Sequence, residues 1–76
     1  MDLDEATRQL QQAIHDAQVA FDCVGIGELE RAHTHVITAR AAVDSAELVL
    51  SKAIRDLSPE EAARKGEEAV VALEGE

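Results

Sequence analysis

Apolar residues recur along this chain in two seven-residue rhythms. Over residues 3–24, Leu3, Leu10, Ala17 and Val24 fall at every seventh position, and Ala6, Ala13 and Ala20 repeat at the same interval, three places later. Two apolar rows offset by three within a heptad mark the a and d positions of a helix packed along one seam. Thr7, Ile14 and Phe21 widen the stripe on one flank, while Asp4, Glu5, Arg8, Gln11, Gln12, His15, Gln18 and Asp22 fall opposite. The pattern predicts an amphipathic helix over 3–24. Residues 28–57 repeat it, with Leu29, Val36, Val43, Leu50 and Leu57 in one row and Ala32, Ala39, Ala46 and Ala53 in the other. A second helix over 28–57 follows.

The two sets of rows are out of phase. Val24 to Leu29 is a step of five, whereas one continuous stripe needs three, four or seven. The segment Gly25-Ile26-Gly27 therefore reads as a turn at 25–27. Gly25 suits a left-handed C′ position, with Ile26 at C″ touching Phe21. Gly27 suits a modest N-cap, and Glu28 and Glu30 lie in the first turn of the second helix, where its dipole favours anions. So short a loop predicts an antiparallel hairpin. Small residues in one row let the axes approach, so that overpacking the row is expected to be costly.

Ser58-Pro59-Glu60-Glu61 is a start signal for a third helix: Ser58 as N-cap, Pro59 at N1 and Glu61 at N3 closing a capping box. Ala62, Gly66, Ala69 and Leu73, with Val70 beside them, continue it at helical steps. A one-residue joint after Leu57 leaves little room for a flat reversal, so this helix is expected at an angle, with access to a neighbouring chain. The units are then a hairpin over 1–57 and a C-terminal helix with an acidic tail over 58–76.

Opposite its seam the second helix carries Thr34, Ile37, Ala41, Ser45 and Leu48, with Val49 on a flank, where a solvated helix would carry Lys, Glu or Gln. It also outreaches the first helix, which leaves Ile54 and Leu57 uncovered. The expectation is a central helix, covered on at least two sides by its own chain or another. The candidate protein interface is Ile37, Ala41, Leu48, Ile54 and Leu57, joined by Ala69, Val70 and Leu73 of the third helix.

Composition sharpens this picture. The 76 residues include one Phe and neither Trp nor Tyr. A core of Ala, Val, Leu and Ile in so short a chain is thin, and oligomerisation is a common remedy. The net charge is −9, which disfavours direct contact with nucleic-acid phosphates or anionic lipid. Residues 1–24 and 58–76 each carry −4, while 25–57 carry −1, as a covered segment would. The single Cys23 forms no intrachain disulfide and fits a reducing compartment. The N-terminal Met-Asp-Leu-Asp-Glu-Ala-Thr has neither the basic nor the apolar region of a signal peptide, and no apolar run is long enough to span a bilayer, so a cytoplasmic protein is expected.

Candidate chemistry is sparse. His33 and His35 are two apart and point to different helix faces, and His15 falls on the outer face of the first helix. The i, i+4 histidine pair of helical zinc sites is absent, and Gly-Ile-Gly lacks the strand and third glycine of a phosphate loop. His15–Asp16 reads as ordinary exposed surface. No catalytic, cofactor-binding or metal residues are assigned. The sequence thus predicts an all-α protein: an antiparallel hairpin with an Ala-rich heptad seam, plus a shorter third helix, assembling into an oligomeric bundle, most simply a homodimer. Its expected role is non-catalytic: self-association and binding of another protein as an adaptor, regulator or inhibitor. The alternatives are an acidic nucleic-acid mimic that blocks a basic groove, and a small structural subunit of a phage or secretion assembly.

Overall fold

The computed structural model describes residues 3–75; Met1, Asp2 and Glu76, the outermost residues of the hairpin unit and the acidic tail, lie outside the described residues. The described chain is all-helical, with α1 (Asp4–Gly25), α2 (Leu29–Asp56) and α3 (Pro59–Glu74). Among the described residues no helix is long and apolar enough to cross a membrane.

The chain reverses between α1 and α2 through a Schellman motif, two residues later than the sequence suggested. The Glu28 amide donates to the Cys23 carbonyl at 2.9 Å and the Gly27 amide to the Val24 carbonyl at 3.1 Å. That pair of bonds makes Ile26 the C-cap and Gly27 the C′ residue. Gly27, not Gly25, has the positive φ, at 76°. Gly25 instead completes the last turn of α1. Cys23 lies on the seam, where it clusters with Ala20 and Ala32. Gly27 does not cap α2 either. That place belongs to Glu28, which makes no capping bond and pairs instead with Arg31 in the first turn.

The hairpin seam is built almost entirely from small residues. Ala6, Ala13, Ala20 and Cys23 of α1 are buried, as are Ala32, Ala42, Ala46 and Ala53 of α2. The alanine row of each helix lies in the seam, with Ala39 half-buried. The rows of larger residues do not join them. Val24, Leu29, Val36 and Val43 are each about half exposed or more, and Leu10 and Leu50 are also exposed. Their seam places go to Asp16 and Cys23 on α1, and to His35, Ala42 and Val49 on α2. Side chains this small on both helices let the axes approach closely, and a Leu or Val row between them would hold the helices apart. The bulky rows are therefore turned to the side.

α3 opens with the full capping box. The Glu61 amide donates to Ser58 Oγ at 3.2 Å, and the Ser58 amide donates to Glu61 Oε1 at 2.9 Å. These bonds hold the Glu61 carboxyl below its ordinary range, the Ser58 backbone donor contributing most. Leu57 and Ser58, both extended, suffice to turn the chain back. α3 then packs on α1 and barely meets α2. A Cβ built on Gly66 would lie 4.0 Å from Leu3 Cδ1, and Leu73 shares a crevice with Arg8 and His15, so α3 runs parallel to α1. The central helix is therefore α1. The expectation that α3 stands off at an angle is corrected: it packs on its own hairpin, and within the chain α2 is covered mainly by α1.

Three helices side by side make a slab, not a triangular bundle. The Cα extents are 46 × 25 × 14 Å. The radius of gyration, 14.7 Å, exceeds the roughly 11 Å typical of a compact chain of this length.

Candidate functional site

A single layer of helices has two broad faces, and here one of them is apolar. Leu10 of α1 shares a shallow crevice with Val43, Leu50 and Ile54 of α2, which places all four on one side of the seam. Ile14, Phe21 and Val24 follow Leu10 at helical steps, and Leu29 and Val36 precede Val43 at heptad spacing. These residues are exposed, Phe21 at 76% and Ile54 at 81%. Among the described residues, no side chain larger than those of Cys23 and Asp16 is buried. The accessible surface is 5389 Å². A compact monomer of 8.2 kDa is expected to expose about 4,500 Å², so this chain carries roughly 850 Å² more.

The residues expected to form an interface are dispersed. Ile54 is on the apolar face. Ile37 (44% exposed) and Leu48 (64%) lie on the outer edge of α2, with Ala41, also exposed, beside them. Leu57 is half-buried at the joint to α3. Ala69 is 1% exposed and buried within its own chain. Val70 and Leu73 line a crevice with Gln11 and Glu74 at the α1–α3 boundary.

Asp16 is the feature that sequence reasoning misplaced. It is 3% exposed, not ordinary surface, and its partner is on the other helix. Asp16 Oδ1 lies 2.9 Å from His35 Nδ1, and Asp16 Oδ2 accepts from Gln12 Nε2 at 2.8 Å. The Gln12 hydrogen bond, then the His35 bond, hold the Asp16 carboxyl below its ordinary value of 3.8. Burial pushes the other way and is outweighed by these hydrogen bonds to the charged form. The sequence carried a signal for this site. Asp16 shares a heptad row with Cys23 and Gln9, a phase that looks wrong only if the larger apolar residues are assumed to lie inside.

Cys23 is a buried free thiol. Among the described residues no three His, Cys, Asp or Glu side chains converge as a metal site. The Asp16–His35 pair is an acid and an imidazole with no nucleophilic side chain among the hydrogen bonds and ion pairs it makes. What the arrangement offers is an apolar surface framed by polar helix edges. No known protein family, curated protein or solved structure matches the chain.

Proposed function

We propose that this chain is a non-catalytic helical docking module that binds another protein chain through the apolar face of its hairpin. The observation that carries the reading is the inversion of the usual burial pattern. Alanines fill the inside, and Leu, Ile, Val and Phe line one outer side in continuous rows. Scattered exposed apolar residues are ordinary, whereas a contiguous patch of several hundred Å² on a small domain marks an interaction surface. The outer edge of α2, with Ile37 and Leu48, adds a second, narrower strip to the same role.

The test is the double substitution Phe21→Glu/Leu50→Glu in the full chain. Phe21 is largely exposed in the single chain and Leu50 partly so, so the variant should keep its helical fold and lose no more than about 1–2 kcal/mol of single-chain stability, mostly at Leu50. Wild type should either associate or bind an apolar fluorescent dye, and the variant should do neither. A wild type that stays monomeric, binds no dye and behaves like the variant would show that the face is plain surface.

A further inference from the structure

We propose that the docking face is closed by a second copy of this chain, the two α2 helices running antiparallel about a two-fold axis at Val43. This rests on the docking reading and names the partner. The first support is area. The roughly 850 Å² of surplus surface is close to the 800 Å² or so that each partner contributes to a stable interface of standard size. That surplus belongs to the slab as a whole, and stacking two hairpins on their apolar sides turns two single layers into one bundle with large apolar side chains inside.

Charge supplies the second support. The chain carries −9, so two copies repel wherever their acidic parts meet. Within α2, however, Glu30, Asp44, Glu47 and Asp56 are balanced by Arg31, Arg40, Lys52 and Arg55. The whole net charge therefore lies outside α2, the one helix able to face its own copy without a like-charge penalty.

The third support is the symmetry of the row itself. Val36 and Leu50 stand one heptad on either side of Val43 within α2, so an antiparallel copy sets Val43 against its counterpart and Val36 against the partner's Leu50. In the neighbouring row Arg40 and Glu47 stand one heptad apart on either side of that centre. Antiparallel pairing brings Arg40 to the partner's Glu47, twice per dimer; parallel pairing would set like charges together. Neither residue has an ion-pair partner among the described residues of its own chain, and Glu47 lines the crevice on the apolar face.

Sedimentation equilibrium on the full chain tests this with four samples: wild type, Arg40→Glu, Glu47→Arg, and an equal mixture of the two variants. Both positions are exposed, so each variant should keep its helical circular dichroism. Wild type should be a dimer. Each single variant should dimerise about tenfold more weakly, since both of its cross-pairs become like-charged. The mixture should regain wild-type affinity, because a chain with reversed Arg40 and one with reversed Glu47 complement each other at both pairs. Single variants as tight as wild type, or a mixture no tighter than its components, would overturn the antiparallel arrangement. A monomeric wild type at high micromolar concentration would overturn the second copy altogether. If that monomer binds apolar dye through Phe21 and Leu50, docking onto a different protein survives; without dye binding, both readings fall.

Discussion

The packing of the hairpin can be tested at two adjacent alanines. Ala42 is 5% exposed in the seam, while Ala41 is exposed on the outer edge of α2. Leucine at position 42 adds three carbon atoms where two helices meet through residues no larger than Ala, Cys and Asp over most of their contact. Such overpacking costs about 1–3 kcal/mol. A domain of this size has a total stability of only some 4–11 kcal/mol, so the loss is a substantial fraction. Each kcal/mol should lower the melting temperature by about 4–8 °C. Leucine at position 41 meets only solvent and has nearly the helix propensity of alanine, so Ala41→Leu should stay within about 0.5 kcal/mol of wild type. Urea and thermal unfolding followed by circular dichroism at one protein concentration read both. The heptad row read from sequence omits Ala42 and puts Val43 in the seam. If Ala42→Leu is neutral, or Ala41→Leu is the costlier change, the observed rotation of the helices is wrong.

The turn makes a second contrast. Gly27→Ala should cost about 1–2 kcal/mol, because its left-handed φ penalises a Cβ, whereas Gly25→Ala should be neutral or stabilise by up to about 1 kcal/mol, being helical with open space around its Cβ. Equal effects in urea melts would mean that the reversal is not the Schellman motif described. A third prediction concerns Asp16, whose carboxyl is held below 3.8 by Gln12 and His35, with His15 adding a weaker attraction. A carboxylate favoured in the fold contributes stability that is fully present above its unfolded value and disappears as pH falls through the lowered folded value. The stability advantage of wild type over Asp16→Asn should therefore shrink as pH drops below 3.8, in urea midpoints measured across a pH series. A difference independent of pH would place the ionised carboxylate outside the hairpin's stabilising contacts.

The Asp16–His35 pair also bears on how the hairpin finds its alignment. A seam of near-identical alanines repeats every heptad, and sliding one helix past the other by seven residues would set alanine against alanine again. Asp16 and His35 meet across the seam in one register only. A single polar pair of this kind can select register among otherwise similar apolar alignments. The sequence rhythm that makes the helices easy to read is thus the feature that leaves their alignment underdetermined.

Local information was enough for much of the architecture. The capping box at Ser58 and Glu61, the break around Gly25–Gly27, the three helices and the inward alanine rows all follow from interactions within a few residues along the chain, or from a repeat that keeps one stripe on one side. Three things needed the tertiary structure. Which row accompanies the alanines was decided by the partner helix: small residues on both sides draw the axes together, and Asp16, Cys23 and Ala42 fit that gap while Leu10, Val43 and Leu50 do not. The Asp16–His35 bond spans nineteen positions, beyond any local pattern. The place of α3 on α1, not α2, depended on the direction in which Leu57 and Ser58 turn the chain. Apolar periodicity reports that a row is to be covered. It does not say by what, because the free energy of burial depends on the area removed from water and not on which helix, or which chain, removes it.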